Sequence, residues 1–376
     1  MKIGILGGGQ LAGLLAQEIA KTEDDLIVLD PTDKCPAALM GARQVIGSPS
    51  SEQDIRLFAK HVDVLTVELE NINTRALIQL AAEGISIIPS PKTLAIIKDK
   101  LLQKHSLFEA GIPTCDYFSE NQKSVSSIEE LGWPLVQKSR TGGYDGRGVL
   151  ILQDKSYRLD LLKKPTYFEA FIPDAIELAV MVARNERGDN TTWEPTRLEF
   201  DKKRNVLKTL YSPPALSHKI LREAQRISIE AVRALGGVGL FGVELFLTKE
   251  HRLLINEVAP RAHNSGHHSI ESSETSQFLQ QYNILRSKPL TPTQSKCAAV
   301  MFNLLGEAGF EGRTVIEGVD LIDGFEHVFV HLYQKFHCSP HRKMGHVTVT
   351  GETLSNAKER AEGIQSLISV RGENPI

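Results

Sequence analysis

Two glutamates thirteen residues apart constrain the fold of this chain more than any other feature. Glu244 and Glu257 lie in two apolar, strand-like segments, residues 243–248 and 253–258, which are separated by four polar residues. If the two segments form an antiparallel hairpin, counting outwards from this four-residue turn puts Glu244 opposite Glu257. The sequence therefore predicts that two carboxylates meet side by side on one hairpin.

Two opposed carboxylates need a compensating charge. Directly opposed side chains in an antiparallel pair lie about 4.5 to 5.5 Å apart, where like charges are destabilising. Mg²⁺ compensates such a pair well, because it binds one or two protein carboxylates and completes its shell with water and substrate phosphates. Asn256 and Asn264 could add neutral oxygens nearby. The alternative is a register slip that sends one glutamate to solvent or to an arginine.

A glycine-rich segment about a hundred residues earlier could hold the phosphates. Residues 133–138 and 149–152 have strand-like composition, and residues 142–148 between them contain four glycines. Glycines let backbone amides approach a ligand closely, and Lys138 at the strand end could place an ammonium on a phosphate. The segment is not a Walker A motif, since no Gly-Lys-Ser/Thr opens a helix after it. A mobile turn is the alternative interpretation.

The amino terminus carries a weaker nucleotide signal. Gly7, Gly9 and Ala12 follow a short apolar strand with the Gly-x-Gly-x-x-Ala spacing of dinucleotide-binding proteins, and Asp30 ends the next strand, where it could bind an NAD ribose. An NAD-dependent oxidoreductase is therefore one alternative function. It leaves the pair of glutamates unexplained.

Five segments together carry a family resemblance: Gly-Gly-Gly-Gln-Leu at 7–11, Glu-Leu-Glu-Asn at 68–71, Gly-Gly-Tyr-Asp-Gly-Arg-Gly at 142–148, Asn-Glu-Val-Ala-Pro-Arg-Ala-His-Asn-Ser-Gly-His-His at 256–268 and Arg-Lys-Met-Gly-His at 342–346. With these segments in this order, the chain resembles the 5-(carboxyamino)imidazole ribonucleotide synthase family of the ATP-grasp superfamily. The resemblance runs from Lys2 to about Thr350.

The resemblance implies an α/β (α+β) ATP-grasp fold. Its expected parts are a Rossmann-like pre-ATP-grasp domain at 1–110, a lid subdomain with the glycine-rich loop at 111–182, a catalytic subdomain at 183–290 and a small β-rich subdomain at 291–376. It also implies a ligase that uses ATP to carboxylate aminoimidazole ribonucleotide with bicarbonate through carboxyphosphate, in purine biosynthesis. The implied cofactor is Mg²⁺, which Mn²⁺ could replace, and the expected assembly is a homodimer.

Carried over position by position, the resemblance assigns ATP contacts to Lys100, Lys138, Gly143, Tyr144, Asp145, Gly146, Arg147, Gly148, Val149, Glu169, Ala170, Phe171, Ile172, Glu177, Asn256 and Glu257. Glu244 and Glu257 are the implied magnesium ligands. Residues 169–172 would be the adenine hinge, although Ala170 replaces the acidic or amide residue that is usual there. Glu177 would bind the ribose. A histidine that many family members place between residues 195 and 212 has no clear counterpart.

A second resemblance, to the sister formate-dependent glycinamide ribonucleotide transformylase, assigns the substrate positions to Gln10, Leu11, Glu68, Asn264, Lys335, Arg342 and Lys343. Glu70 is a further neighbour. The catalytic candidates are Lys138, Arg261 and His267, with His263 and His268 as further groups that could hold bicarbonate or move a proton. The alternatives are a solvated basic loop for the three cations and a hydrogen-bonded loop for the histidines. The sister transformylase and an inactive nucleotide-binding relative remain alternative functions.

Composition agrees with a soluble cytoplasmic enzyme. The 376 residues carry a net charge of −3, which favours neither nucleic acid nor membrane as a partner, and there is no apolar segment long enough to span a bilayer. Four cysteines are scattered without metal-binding spacing, which is typical of a reducing compartment. Helices are predicted at 92–110, 217–235, 274–286 and 354–368.

Overall fold

The computed structural model describes residues 1–143, 148–154, 162, 165–201, 206–322 and 324–376. The strands are β1 (Lys2–Leu6), β2 (Asp25–Asp30), β3 (Arg43–Ile46), β4 (Val64–Val67), β5 (Tyr117–Phe118), β6 (Leu135–Ser139), β7 (Val149–Leu152), β8 (Thr166–Ala170), β9 (Ile176–Arg184), β10 (Asn190–Thr192), β11 (Thr196–Asp201), β12 (Val206–Ser212), β13 (Gly239–Leu247), β14 (Leu253–Ala259), β15 (Ala298–Leu305), β16 (Phe310–Glu317), β17 (Val328–Leu332), β18 (His337–Cys338), β19 (Lys343–Gly351) and β20 (Ser369–Pro375). The helices are α1 (Gln10–Ile19), α2 (Pro36–Leu39), α3 (Glu52–Ala59), α4 (Thr74–Ala82), α5 (Pro91–Lys98), α6 (Lys100–Glu109), α7 (His218–Ala234), α8 (Ser269–Ser272), α9 (Gln277–Leu285), α10 (Val319–Ile322) and α11 (Leu354–Gln365).

The amino-terminal part is a parallel sheet with strand order β3-β2-β1-β4. Strands β1, β2 and β4 are mostly apolar and buried, as expected where helices cover both faces of a parallel sheet, whereas the edge strand β3 is mostly exposed. Helix α1 follows β1 directly and packs its buried side, including Leu11, Leu14 and Leu15, into a core that also contains Phe278 and Tyr282 of α9. The amino-terminal sheet is thereby fixed to a helix from the second half of the chain.

The central sheet is mostly antiparallel, with strand order β14-β13-β9-β11-β12-β15-β19-β17 and β10 beside β9. Helix α7 covers β9, β13 and β14. Its residues Leu221, Ala224, Ile227 and Ala231 recur every three or four positions and form one apolar face. This packing makes a rigid support for the β13–β14 hairpin.

A separate antiparallel sheet, with order β5-β8-β6-β7, contains the strands on either side of the glycine-rich segment. Strands β6 and β7 pair as predicted, with Lys138 opposite Val149. We call this the lid sheet. Strand β5 begins shortly after a parallel bridge between Thr114 and Ile255, so the connection into the lid sheet is fixed to β14.

The predicted helix at 92–110 is wrong as a single element, because Asp99 divides it into α5 and α6. Asp99 is extended (φ −99°, ψ 103°), and its carboxylate accepts hydrogen bonds from the amides of Leu101 and Leu102 at the start of α6. An aspartate in this position satisfies otherwise unpaired amides and favours a new helix start. The Arg140 guanidinium also binds Asp99, at 2.5 Å.

The other helix predictions hold with shifted ends. Helix α7 agrees closely with the predicted 217–235, and α11 is shorter than the predicted 354–368. Helix α9 begins at Gln277, later than predicted, because the Ser276 hydroxyl caps it by accepting from the Leu279 amide. Strands β15, β17 and β19 extend the central sheet, while β16, β18 and β20 pair separately. Among the described residues, we find no helix that is both long enough and apolar enough to cross a bilayer.

Candidate active site

The β13–β14 hairpin places Glu244 directly opposite Glu257, as the sequence predicts. The pairing closer to the turn differs from the prediction, which assumed a four-residue turn and a regular hairpin. The turn is one residue longer, with Leu247 opposite Leu253, and a bulge at Asn256 restores the offset before Glu257. Because a bulge puts two residues of one strand against a single residue of its partner, Asn256 and Glu257 both lie beside Glu244. The Asn256 amide nitrogen is 3.4 Å from Glu244 Oε2.

The two carboxylates differ in their electrostatic surroundings. Burial and the negative charge of Glu257 raise the pKa of Glu244 to about 8, against smaller opposing effects of Lys100 and Lys343. Burial also acts to raise the pKa of Glu257, but the ammonium of Lys100, which bonds to it directly, and the charge of Lys138 lower that pKa to about 2. Glu257 is therefore ionised, and Glu244 is the group whose proton a cation would displace.

The donor set fits Mg²⁺ in its chemistry. Two carboxylates with an amide beside them provide hard oxygen ligands, and a hard cation would relieve the repulsion that raises the pKa of Glu244. Across the described parts of the chain, no cluster of three or more His, Cys, Asp and Glu side chains is arranged to hold a metal ion. The remaining ligands would have to be water and phosphate oxygens, as is usual for Mg²⁺.

A buried carboxylate joins the lid sheet to two lysines. Glu169 on β8 is only 2% exposed. Its Oε1 lies 3.0 Å from Lys104 Nζ and accepts from the Tyr167 hydroxyl at 2.9 Å, and its Oε2 lies 2.8 Å from Lys138 Nζ. Burial opposes ionisation, but the two ammonium groups lower the pKa of Glu169 to about 2. The same lysines connect it to the hairpin, since Lys138 Nζ also donates to Asn256 Oδ1 at 2.8 Å.

Glu169 begins the predicted adenine hinge, residues 169–172. Its side chain binds Lys104, Lys138 and Tyr167, so hydrogen bonds from this segment to an adenine edge would come from the backbone. Glu177, the predicted ribose ligand, lies on β9 opposite Phe246, two pairs along from the Glu244–Ala179 pair. Burial raises the pKa of Glu177 to about 7, against a smaller opposing effect of Lys138. The structure thus brings Glu177 and the hairpin carboxylates to one face of the sheet.

The predicted phosphate loop is described only at its ends. Gly143, Gly148 and Val149 are described, whereas the predicted contacts Tyr144, Asp145, Gly146 and Arg147 lie outside the described residues. Gly148 has a φ of +86°, and a Cβ there would lie 2.9 Å from Ser139 Oγ. Glycine is therefore required where the loop rejoins the lid sheet.

The glycine-rich turn at the amino terminus holds protein carboxylates. Glu68 accepts hydrogen bonds from the amides of Gly9, Leu11 and Ala12 at the start of α1, and Asp30 accepts from the Gly8 amide at 2.9 Å. Burial raises the pKa of Glu68, while these amides oppose the shift. Its side chain fills the place where a pyrophosphate would bind a dinucleotide fold. This geometry argues against the oxidoreductase interpretation.

The predicted substrate positions from the two ends of the chain meet. Lys335 Nζ donates to Gln10 Oε1 and to the Lys343 carbonyl, both at 2.6 Å. The segment between Lys335 and Lys343 turns back, as the prediction requires. The Arg342 guanidinium instead donates to the His337 carbonyl at 2.7 Å and is exposed. Leu11 is buried on α1.

Two further predicted site residues, Arg261 and Asn264, bind other side chains of the protein. Arg261 pairs with Glu70 at 2.9 Å, and although burial acts to lower the pKa of Arg261, the charge of Glu70 raises it. Asn264 exchanges hydrogen bonds with Asn303 at 2.8 and 3.0 Å, so both ends of its amide are engaged. This contact fixes the loop after β14 to β15.

The histidines form a buried layer, which we define as His267, His268, His331, Tyr333 and His346. The His346 ring lies 4.9 Å from that of His267 and 4.5 Å from that of His331, and its Nδ1 is 2.8 Å from the Tyr333 hydroxyl. Burial lowers the pKa of His267 and His346 well below the usual range and that of His268 to about 4. These three side chains are therefore neutral.

His263 lies outside this layer and nearer the carboxylates. Its Nε2 is 3.5 Å from Glu244 Oε1, and its Nδ1 is 2.8 Å from the Ser265 hydroxyl. Sequence reasoning did not find Lys104, Tyr167, Tyr333 or His346 as parts of these clusters. For Lys104 a signal was present, since Leu101, Lys104 and Leu107 share the buried side of α6.

Comparison with protein-family models divides the chain into three matched regions. Residues 1–98 match the ribonucleotide synthetase preATP-grasp domain, and residues 105–278 match the ATP-grasp domain. Residues 299–360 match the phosphoribosylaminoimidazole carboxylase C-terminal domain.

Three curated relatives match along most of this chain. The phosphoribosylaminoimidazole carboxylase of Ogataea methanolica is 36% identical over 96% of this chain and 69% of its own length. The corresponding protein of Vigna aconitifolia is matched over 65% of its length, so the chain spans about two thirds of these longer relatives. The N5-carboxyaminoimidazole ribonucleotide synthase of Synechocystis sp. is 34% identical over 96% of this chain and 94% of its own length.

Solved structures agree over nearly the whole chain. N5-carboxyaminoimidazole ribonucleotide synthetase from Thermotoga maritima superposes with a TM-score of 0.89 at 39% identity and covers 99% of both chains. The synthase from Aspergillus clavatus in complex with ADP and 5-aminoimidazole ribonucleotide gives a TM-score of 0.88 at 30% identity, covering 97% of this chain and 98% of that one. This chain therefore belongs to the N5-carboxyaminoimidazole ribonucleotide synthase family of the ATP-grasp superfamily.

Proposed function

We propose that this protein is an ATP-dependent ligase that carboxylates 5-aminoimidazole ribonucleotide with bicarbonate, giving 5-carboxyaminoimidazole ribonucleotide, ADP and phosphate. The observation that carries the proposal is the pairing of Glu244 with Glu257 beside Lys100 and Lys138. The ammonium groups would bind a polyphosphate, and the carboxylates would bind its metal ion. The nucleotide and acceptor named for the Aspergillus clavatus complex support this choice of substrates.

The first chemical step is an attack by a bicarbonate oxygen on the γ-phosphorus of ATP, which forms carboxyphosphate and releases ADP. Lys100 and Lys138 would hold the phosphates, and Gly143, Gly148 and Val149 would offer backbone amides from the lid. Mg²⁺ held by Glu244 and Glu257 would neutralise negative charge on the phosphate oxygens. Residues 169–172 would bind the adenine through their backbone, and Glu177 would bind the ribose.

In the second step the exocyclic amine attacks the carboxyphosphate carbon and phosphate leaves, or carboxyphosphate first splits into phosphate and CO₂ in the closed site and the amine attacks the CO₂. In either route the amine gives up one proton. Gln10, Lys335 and Lys343 would hold the ribonucleotide, with its phosphate on the two lysines and on Arg342. Leu11, Glu68 and Asn264 would shape the same pocket. Carboxyphosphate is short-lived in water, so the lid sheet would have to close over it.

Arg261 and His267 complete the proposed catalytic set. Arg261 would hold the bicarbonate anion while Glu70 fixes its guanidinium. Gln277 Nε2 lies 2.8 Å from His267 Nδ1, so a neutral His267 that accepts there carries its proton on Nε2. The Nε2 atom has no hydrogen-bond partner among the described residues. His267 would therefore act as a hydrogen-bond donor rather than as a base.

The proposed assembly is a homodimer and the proposed location is the cytoplasm. All four cysteines are free thiols, which suits a reducing compartment. Sedimentation at micromolar concentration tests the dimer.

Phosphate release tests the function. The assay contains Mg²⁺ and ATP with aminoimidazole ribonucleotide or glycinamide ribonucleotide as acceptor and bicarbonate or formate as carbon source. We expect release only with aminoimidazole ribonucleotide and bicarbonate, with Mn²⁺ able to replace Mg²⁺. Dependence on glycinamide ribonucleotide and formate would assign the sister transformylase activity instead. No release in any combination would contradict a ligase.

A further inference from the structure

A buried lysine that carries no role in the proposed reaction links the lid sheet to the carboxylate hairpin. Lys104 is 2% exposed, and its Nζ contacts Glu169 on β8 and the carbonyl oxygens of Ile255 and Asn256 on β14, at 3.0, 3.4 and 3.3 Å. An ammonium has three donors, and these three acceptors use them. Lys104 is therefore committed to protein groups and is closed off from a ligand.

Lys138 is placed differently. It is 9% exposed, and its Nζ contacts Glu169 and Asn256. Among the described residues these two acceptors leave one of its three donors for another group. Lys138 is thus the member of the lysine pair that can reach a phosphate.

The charges of the cluster explain why two lysines share one carboxylate. If Glu169 had Lys138 as its only cationic partner, its charge would offset that of Lys138, and little attraction would remain for an anion. With Lys104 present, the two lysines and Glu169 carry one net positive charge in a buried setting. A buried excess charge is costly unless an anion arrives to balance it.

Lys104 also fixes where this charge lies. Its carbonyl acceptors are the two residues before Glu257, at the bulge that brings Asn256 and Glu257 beside Glu244. The neighbouring Gln103 side chain exchanges hydrogen bonds with the backbone of Val258, at 2.8 and 2.9 Å. Helix α6 therefore holds β14 through the carbonyls of Ile255, Asn256 and Val258, and Lys104 connects this strand to Glu169 of the lid sheet.

We propose that Lys104 is a positioning residue for nucleotide binding: it neutralises and orients Glu169, so that Lys138 is held beside the hairpin with charge to spare for a phosphate of ATP. This inference rests on the proposed function only in naming ATP as the nucleotide. Lys104 itself would contact neither ATP nor the metal, because protein acceptors use its three donors.

Three variants test the proposal. Lys104→Met removes the ammonium at nearly constant length. Lys104→Met combined with Glu169→Gln also removes the carboxylate charge, so that Lys138 is no longer offset. Lys98→Met is the matched control, because Lys98 ends the neighbouring helix α5 and its Nζ binds only the Ile72 carbonyl among the described groups, at 2.7 Å. Thermal unfolding of each variant is recorded in parallel.

Binding is measured by calorimetry with a non-hydrolysable ATP analogue and Mg²⁺, without acceptor or bicarbonate. We expect Lys104→Met to weaken binding by about ten- to a hundredfold, the range for hydrogen bonds to charged groups. The double variant should bind at least about threefold more tightly than Lys104→Met, because Lys138 regains its unbalanced charge. Lys98→Met should bind as the wild type does. In turnover, Lys104→Met should raise the KM for ATP and leave the KM for the ribonucleotide unchanged.

Two results would overturn the proposal: a folded Lys104→Met that binds the analogue within about twofold of wild type, or a double variant that binds no better than the single one. If Lys104→Met fails to fold, the double variant decides. It retains no unpaired buried carboxylate, and the proposal requires that it bind the analogue. A wild-type chain that binds the analogue but carboxylates no ribonucleotide would contradict the proposed function and not this inference.

Discussion

Two polar regions of this protein, both largely buried, differ in whether their side chains are charged. The first, which we call the charged centre, contains Lys100, Lys104, Lys138, Glu169 and Glu257, and its carboxylates have pKa values lowered to about 2 by neighbouring ammonium groups. The second is the histidine layer, in which burial holds three imidazoles neutral. Charged pairs dominate the first region, whereas the three buried imidazoles of the second are uncharged.

The difference shows what each region is for. Burying ions is costly unless opposite charges balance them. The excess positive charge of the lysines in the charged centre therefore indicates a binding site for a polyanion. Neutral polar groups that hydrogen-bond to each other specify packing at less cost. The histidine layer joins the loop after β14 to β17 and β19 and thereby supports Lys335, whose ammonium lies 5.4 Å from the centre of the Tyr333 ring. ATP binding and acceptor binding should therefore respond to different mutations and different pH ranges.

The largest expected effect is on turnover. Glu257→Gln removes the ionised carboxylate from the charged centre, and we expect kcat to fall at least about a hundredfold, the size of effect seen when one group that stabilises developing charge is removed. The fold should persist, because Glu257 is a partly exposed side chain. Glu250→Gln in the exposed turn of the same hairpin is the control. Near-normal activity of a folded Glu257→Gln protein would contradict the metal assignment.

The second effect concerns acid stability. The folded-state pKa of Glu169 is below its ordinary value of 4.5, so its contribution to the free energy of unfolding is complete above pH 4.5 and is lost as pH falls towards 2. A shift of this size corresponds to roughly 3 kcal/mol. Glu169→Gln should be less stable than wild type at pH 7, and urea unfolding should show this gap narrowing below pH 4.5. Exposed Glu120→Gln should show no such gap.

The contribution of the histidine layer to the free energy of unfolding should change at a higher pH than the contribution of Glu169. His268 has a folded-state pKa of about 4, below its ordinary value of 6.5, so the unfolded chain binds protons first and stability falls as pH drops from 6.5 to 4. His268→Gln should reduce this loss by up to roughly 3 kcal/mol. Exposed His218→Gln should retain the wild-type slope in urea unfolding. A His268→Gln protein with the wild-type slope would show that this imidazole is not held neutral.

The smallest effect separates the two substrates. Lys335→Met removes the ammonium that contacts Gln10 and that would bind the ribonucleotide phosphate. We expect the KM for aminoimidazole ribonucleotide to rise about tenfold while the KM for ATP stays constant, since the proposed charged hydrogen bond to that phosphate is lost. Lys288→Met is a matched control, because its ammonium also lies over a tyrosine ring, at 4.6 Å from the centre of Tyr282. An equal rise in both KM values would contradict the separation of the two regions.

Local sequence patterns predicted the hairpin and its carboxylate pair because strand alternation and a short turn nearly determine the register. The bulge at Asn256 was not predictable in the same way, since it depends on how β13 and β14 fit against β9 and α6. The order of the five motifs along the chain predicted the fold. The glycine fingerprint was ambiguous, because Glu68, far along the chain, occupies the helix start that it creates.

Contacts between distant segments were beyond local patterns. Lys335 and Gln10 are 325 positions apart, and only the family resemblance placed them in one site. The position of Lys104 on the buried side of α6 indicates burial, but it does not indicate which group the ammonium pairs with. Glu169 supplies that partner from another sheet.

The central claim is that the charged centre activates bicarbonate by phosphorylating it. Turnover with ¹⁸O-labelled bicarbonate and analysis of the released phosphate by mass spectrometry test this most directly. The account predicts one ¹⁸O atom in each phosphate, because the bicarbonate oxygen that attacks the γ-phosphorus leaves with it. Unlabelled phosphate, formed during carboxylation of the ribonucleotide under conditions where bicarbonate keeps its label, would contradict the account.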